Sequence, residues 1–307
     1  MKKINDRITR RHALKLIAAA SAAGIIPCSL LEANSGMLLR KIPSSGEGLP
    51  VIGLGTSQVF DVGQDEDERE PLSHVLQLLV ETGASIVDTA PMYGRAQQVL
   101  GQLTTGMRKD LFLATKVLME GRDAGIRQMD ESMAYLGTDS VDLMQVHNLV
   151  DWQVQLNTLR SMKEEGRIRY LGITHYRTSA FAALERIMLD TPLDFVQLNY
   201  SLLTPDAEQR LLPLAAEKGI AIMVNRPFER GAVFDKVYRR PLPGYASELG
   251  INSWGQFFLK WILGNTAVTC VIPATSSPKH MIDNLGAGTG PMPDKSMRAR
   301  MSADIRG

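Results

Sequence analysis

Short apolar runs rich in Val, Ile and Leu alternate along this chain with longer stretches in which apolar residues return every three or four positions. The runs at 51–54, 85–88, 111–116, 141–147, 169–173, 195–198, 220–224 and 268–272 have strand length and near-continuous hydrophobicity, the pattern of strands buried on both faces. Between them Leu72, Val75, Leu76 and Leu79, then Met129, Met133 and Leu136, then Leu156, Leu159 and Met162 keep helical spacing, so each set shares one side of a helix. Gly83, Gly137, Gly166 and Gly219 fall where those helices must stop and the chain must turn into the next strand. Eight β/α alternations with no Ser/Pro-rich linker predict a single α/β domain, a (β/α)8 TIM barrel over residues 36–290, with its reactive face at the C-terminal ends of the strands. A doubly wound sheet is the alternative, weakened because no Gly-x-Gly-x-x-Gly follows an early strand. The acidic run from Asp65 to Glu70 ahead of Pro71 predicts a solvated helix N-terminus, where negative charge meets the positive end of the helix dipole, rather than a metal site.

The chain has 307 residues, enough for a barrel of this kind. Its 34 Lys and Arg nearly balance its 33 Asp and Glu, for a formal charge of +1, so no global field favours nucleic acid or an anionic membrane surface. Cys28 and Cys270 are its two cysteines, which excludes a disulfide framework or a cysteine-rich metal site. His74, His175 and His280 lack ligand-type spacing, so no metal is expected. Residues 291–307, rich in Gly, Pro, Met and charge with their flank, are expected to form a mobile C-terminal tail.

Residues 1–35 differ in composition from the rest: a basic start, Thr9-Arg-Arg-His-Ala-Leu-Lys15, an apolar run from Leu16 to Ile26, then Pro27-Cys28. This is the layout of a secretory signal peptide. The Arg10-Arg11 pair with Leu14 and Lys15 resembles a twin-arginine export signal, although Ala13 stands where Phe is usual. The resemblance implies the twin-arginine export machinery as a partner and an exported, periplasmic location. The apolar run is shorter than the roughly 20 residues of a spanning helix, so the mature protein is expected to hold no stable membrane span.

The most informative chemistry lies in Ile86-Val-Asp-Thr-Ala-Pro-Met-Tyr93-Gly94, followed by strand-end Lys116 and His147 at intervals of about one β/α unit. A tyrosine hydroxyl, with an ordinary pKa of about 10, donates a proton poorly near neutral pH unless a cation stabilises the phenolate left behind. Lys116 can supply that charge, Asp88 can pair and orient the ammonium, and His147 can hydrogen-bond a bound carbonyl oxygen. In this order and at these strand ends, Asp88, Tyr93, Lys116 and His147 resemble the catalytic set of the aldo-keto reductase family. The likeness extends over roughly residues 49–286, through Gly53-Leu-Gly-Thr56, Ala114-Thr-Lys116, Leu143-Met-Gln-Val-His147, Val196-Gln-Leu-Asn-Tyr200, Val271-Ile-Pro-Ala-Thr275 and Asp283-Asn284.

That resemblance implies a nicotinamide cofactor, NADP(H) favoured and NAD(H) the alternative, and a small carbonyl substrate. It assigns to the cofactor Gly55 and Thr56; Thr174, His175 and Gln197 near the carboxamide; Asn225, Arg226, Phe228, Arg230 and Gly231 in the loop over the pyrophosphate; and Thr275, Ser276, Lys279, His280, Asp283 and Asn284 around the 2′-phosphate and adenine. Three positions depart from the family pattern. Asn225 stands where an aromatic usually stacks on the nicotinamide, and Ala274 and His280 stand where Lys and Arg often hold the 2′-phosphate. Phe60, Met92, Met119, Trp152, Tyr176 and Phe228 are candidates for an apolar substrate pocket. The resemblance implies an NADP(H)-dependent reductase of small aldehydes or ketones with Tyr93 as general acid; the rival reading is a nucleotide-binding sensor or partner subunit without turnover.

Overall fold

The computed structural model describes residues 36–306, and the export-signal reading of residues 1–35 lies outside them. Eight parallel strands follow one another around a sheet in sequence order: β3 (Leu54–Gly55), β4 (Ile86–Asp88), β5 (Phe112–Val117), β6 (Val141–His147), β7 (Ile168–His175), β8 (Phe195–Asn199), β9 (Ala221–Asn225) and β10 (Cys270–Val271). The last seam closes through isolated parallel bridges, Ile52 with Val271 and Gly55 with Ala274, carried by Gly53 N–H to Val271 O and Val271 N–H to Val51 O, both at 2.9 Å. The sheet is therefore a barrel. Its helices are α1 (Glu66–Glu81), α2 (Ala96–Leu103), α3 (Arg122–Leu136), α4 (Trp152–Glu164), α5 (Phe181–Asp190), α6 (Leu211–Lys218), α7 (Ala232–Asp235), α8 (Trp254–Leu263), α9 (Pro278–Gly286) and α10 (Lys295–Arg306). None of the described helices is long and apolar enough to cross a membrane.

The predicted helical stripes form the layer between helices and barrel: Leu72, Val75, Leu76 and Leu79 of α1 are all fully buried, and Met129, Leu156 and Leu159 lie in the same cluster. Asp65 caps α1, its side chain accepting from Asp67 N–H at 3.0 Å, and Glu66, Asp67 and Glu68 fill the first turn. Gly137 and Gly219 end α3 and α6 in the left-handed conformation, at φ 66° each.

Side chains of a strand alternate between faces, so parity decides which residues enter the barrel. Ile86, Phe112, Ala114, Leu143, Tyr170, Phe195, Ala221, Met223 and Cys270 make the interior cluster. Asp88, Lys116, Gln145, His147, Thr174, Gln197 and Asn225 share their parity and stand above them at the strand C-terminal ends.

Two elements escape the sequence pattern. A hairpin, β1 (Leu39–Lys41) with β2 (Gly48–Pro50), pairs antiparallel, and Ile42 and Leu49 join the interior cluster to plug the opposite end of the barrel. Tyr170 ties it down, its hydroxyl hydrogen-bonded to Ser45 Oγ at 2.8 Å and donated to Glu47 Oε2 at 2.6 Å. The segment expected as a mobile tail instead contains α10. Asp294 Oδ1 accepts from Met297 N–H at 2.8 Å to start it, and Arg298, Met301 and Ile305 form one buried stripe. Arg298 donates to Trp261 O at 2.8 Å and to Glu208 Oε1 at 2.5 Å, and lies over the Trp261 ring at 4.4 Å. Lys260, also buried, donates to Thr289 O at 2.5 Å and Pro291 O at 2.9 Å, fixing the chain that leads into α10.

Candidate active site

Lys116 is fully buried, and its ammonium donates to Asp88 Oδ2 at 2.6 Å and to Thr89 O at 2.8 Å. Its Nζ lies 5.2 Å from the centroid of the Tyr93 ring. Burial alone would lower the lysine pKa, but the charge of Asp88, then the neighbouring Tyr93, and the hydrogen bond to Asp88 outweigh it and hold the ammonium above its ordinary value. A buried cation of this kind persists only when paired. His147 is shifted the other way. Burial first, then the charge of Lys116 and of His175, push its imidazole down to about 4, so it is neutral at neutral pH. Its Nδ1 is buried without a hydrogen-bond partner among the described residues.

Asp88 is held from several sides. Gln197 Nε2 donates to its Oδ1 at 2.8 Å, Gln145 Nε2 approaches the same atom at 3.4 Å, and Thr56 donates to the Asp88 carbonyl from both its backbone N–H and its Oγ1 at 3.0 Å. Gln197 Oε1 accepts from Thr174 Oγ1 at 3.1 Å and from Asn225 Nδ2 at 3.3 Å. One hydrogen-bonded network thus runs across the barrel mouth from Lys116 to Asn225. The Tyr93-Gly94-Arg95 turn is fixed by Asp61, whose carboxylate accepts from Arg95 N–H at 3.0 Å and rests on Gly94. Gly94 has φ 60°, and a Cβ there would stand 2.3 Å from Asp61 Oδ2, so any side chain would be strained and would push the Asp61 carboxylate off the turn. Cys270 sits inside the barrel, and burial, with the charge of Asp88 adding, pushes its thiol far up, which keeps it protonated.

A cavity of about 1170 Å³ opens above this network. Its wall includes Gly55, Asp88, Tyr93, His147, Thr174, Gln197, Asn225, Arg226, Phe228, Arg230, Gly231, Thr275, His280, Asp283 and Asn284, so the proton-donor end and the α9 end of the expected cofactor site face one space. Lys116 lies beneath the floor. Thr56 and His175 stand behind the wall, Thr56 bracing Asp88 and His175 stacking on Tyr176 at 5.6 Å while its Nδ1 accepts from Arg177 N–H at 3.1 Å. Ser276 and Lys279 are exposed and off the wall. Of the apolar candidates, Met92, Tyr176 and Phe228 line the cavity, whereas Phe60 is fully buried in the outer core, Trp152 packs against that core and Met119 is exposed.

Several lining residues were not foreseen. Ser253, Trp254 and Gly255 reach the cavity from the start of α8. Ser253 Oγ donates to Asp283 Oδ2 at 2.6 Å, and Gln256 Nε2 donates to Asp283 Oδ1 at 3.0 Å, locking α9 to α8. Ser253 also accepts from Gln256 N–H at 3.0 Å, a helix-capping pair that the sequence Ser253-Trp-Gly-Gln256 could have signalled. In the loop after β9, Arg226, Glu229 and Arg230 adopt φ values of 51°, 47° and 56°, a run of left-handed residues with side chains of the sort that collects at binding sites.

Residues 51–304 match the model of the aldo/keto reductase family. The chain belongs to that family. It is 26% identical over 292 residues to an aldo-keto reductase of Strobilurus tenacellus, covering 81% of this chain and 84% of the relative. It is 25% identical over 256 residues to a methylglyoxal reductase of Escherichia coli K12, covering 81% and 89%. Among solved structures, a Klebsiella pneumoniae aldo-keto reductase in complex with NADPH superposes with a TM-score of 0.74 at 24% identity, covering 87% of this chain and 95% of that one. The shared fold is the barrel described above.

The family implies a nicotinamide nucleotide, and the donor set fits one. The cavity is large for a small-molecule site alone, given that such pockets span about 300–1,000 Å³. Among the described residues Arg230 forms no ion pair, and the buried Asn225 Oδ1 has no hydrogen-bond partner. Gly55 gives the wall its flatness, since a Cβ there would meet Ile272 O at 2.9 Å.

Proposed function

We propose that this protein is an NADP(H)-dependent oxidoreductase that reduces small aldehydes or ketones to alcohols, with Tyr93 as the general acid. The observation that carries the reading is the fully buried Lys116 ammonium, fixed by Asp88 and set beside Tyr93 at the base of an open cavity. The relative described as a methylglyoxal reductase and the Klebsiella pneumoniae structure with NADPH support the carbonyl substrate and the nucleotide.

Gln197, Thr174 and Asn225 would hold the nicotinamide end, Arg230 and Gly231 the phosphates, and Thr275, His280 and Asn284 the adenosine end. Bound reduced nicotinamide supplies the hydride for the carbonyl carbon. Tyr93 gives its proton to the carbonyl oxygen, and Lys116 stabilises the phenolate that remains. Asp88 keeps that ammonium paired and pointed upward. His147, neutral above its low pKa, offers an N–H to the same oxygen without adding a competing positive charge. The Arg10-Arg11 signal supports export of the folded, nucleotide-loaded protein to the periplasm by the twin-arginine machinery.

The test is Tyr93→Phe. Turnover of NADPH with a panel of small aldehydes should fall by about 10²–10⁴-fold, the usual contribution of a general acid, while NADPH affinity followed by fluorescence changes less than about two-fold. Wild-type protein that binds NADPH tightly and turns over no carbonyl would instead support the sensor reading. Undiminished turnover in the variant would remove Tyr93 from the mechanism.

A further inference from the structure

The cavity holds a guanidinium group that the reaction above does not use. Arg226 is the first residue after β9, and its Cζ lies 4.0 Å from the centroid of the Tyr176 ring. Tyr176 is itself held, its hydroxyl accepting from Arg177 Nε at 3.2 Å and its ring stacked on His175 at 5.6 Å. Stacking on a ring face fixes the plane of a guanidinium while leaving its edge of N–H donors unspent. Arg226 makes no ion pair among the described residues, and Glu229, the acid next to it in this loop, accepts from Ser201 Oγ at 2.8 Å. Arg226 and Tyr93 line the same cavity.

An oriented cation with unused donors on a cavity wall is a receptor for an anion, and two anions could meet it: a nucleotide phosphate or a charged group on the substrate. Position in the loop separates them. The family resemblance assigns the whole segment 225–231 to the pyrophosphate loop, and within it Arg230 and Gly231 lie farther from the strand end than Arg226. Arg226 stands at the strand end, on a tyrosine supplied by the loop after β7, in the wall of the cavity that Tyr93 also lines. We propose that Arg226, held flat by Tyr176, binds the carboxylate of an oxo-acid substrate, so that the preferred carbonyl compounds are small aldehydes or ketones that carry a carboxylate.

This inference rests on the reductase reading. In the reaction a hydride from reduced nicotinamide forms the new C–H bond, the carbonyl π pair takes the Tyr93 proton to form O–H, and the products are a hydroxy acid and oxidised nucleotide. The carboxylate is unchanged.

The probes are 4-carboxybenzaldehyde and its methyl ester, which share a reacting carbonyl and differ by one charge. Wild-type protein should prefer the acid by at least ten-fold in kcat/KM, mainly through KM. Arg226→Gln should collapse that acid-to-ester ratio at least ten-fold, and Arg226→Lys should recover part of it; taking the ratio within each variant cancels any general loss. A second readout is calorimetric binding of 4-(hydroxymethyl)benzoate to the NADP+ complex, which Arg226→Gln should weaken about ten-fold. Ester reduction without acid preference in the wild type overturns the inference and leaves the reductase reading standing. A fall in NADPH affinity in Arg226→Gln with an unaltered acid-to-ester ratio assigns the arginine to the nucleotide phosphates and also overturns it. No reduction of either probe, with NADPH bound, removes the reductase reading and this inference with it.

Discussion

His147 makes stability depend on pH with a sign and a window that follow from its buried position. Burial, the Lys116 charge and His175 hold its folded-state pKa at about 4, against an ordinary 6.5. Above pH 6.5 both folded and unfolded chains carry a neutral imidazole, and the group adds no pH dependence. As pH falls from 6.5 to 4, the unfolded chain binds a proton that the folded one refuses, so stability is lost; below pH 4 the loss levels off. At about 1.36 kcal/mol per pKa unit, the full gap is worth about 3 kcal/mol. At pH 4.5, where the folded imidazole is only about one quarter protonated, roughly 2.5 kcal/mol of that loss has appeared.

The perturbation is His147→Gln, which keeps a polar group at the cavity but removes the titration. Urea unfolding of wild type and variant at pH 7 and pH 4.5 gives four stabilities. Groups that do not interact with His147 are common to both proteins and cancel in the double difference. Wild type should lose about 2.5 kcal/mol more than the variant between the two pH values, or about 5–10 °C in thermal midpoint at 2–4 °C per kcal/mol for a large domain. Equal losses in the two proteins would refute the claim that His147 is buried neutral beside a charged Lys116.

Two further outcomes follow from the same contacts. Lys116→Met should cost about 3–5 kcal/mol because it leaves the Asp88 carboxylate buried with amide donors alone, and Lys116→Met with Asp88→Leu should regain much of the stability in thermal melts without regaining turnover. Ending the chain at Pro293 should lower stability by roughly 3–6 kcal/mol, since Met301 and Ile305 each contribute about 1.5–3 kcal/mol of burial; a midpoint within 2 °C of the full chain would mean that α10 is not part of the core.

Most of the barrel could be read from the sequence because strand and helix periods are local properties of a window. Val141–His147 lies where the apolar run predicts it, and the four glycines that should end helices, Gly83, Gly137, Gly166 and Gly219, all have positive φ. The β1–β2 hairpin stayed hidden because its strands are three residues long, too short to show alternation, and its two plugging residues, Ile42 and Leu49, lie outside or at the centre of those strands. The last helix stayed hidden for a different reason. Its buried stripe contains an arginine, and Arg298 reads as solvated until Glu208, Tyr200 and the Trp261 carbonyl are seen around it. Asp88, Lys116 and His147 were legible as strand ends of matching chemistry, whereas the Ser253–Asp283 bond and the Arg226–Tyr176 stack join residues 30 and 50 apart that no window brings together.

Asn225 shows how such a non-local contact changes the meaning of a departure from the family pattern. Read alone, it is an aromatic lost from the place where a nicotinamide stacks. In the fold, its Nδ2 donates to Gln197 Oε1 at 3.3 Å, the longer of the two bonds at that oxygen, and its Oδ1 is buried with no partner. A buried acceptor without a donor costs about 1–3 kcal/mol, a penalty that a carboxamide N–H would relieve. On the proposed reading a bound carboxamide would give Asn225 a hydrogen bond in place of the stacking contact, and Gln197 links Asn225 to Asp88 and so to Lys116. On that reading the residues proposed to recognise the nucleotide and those proposed to support proton donation share one chain of hydrogen bonds across the barrel mouth. Replacing either end should be felt at the other.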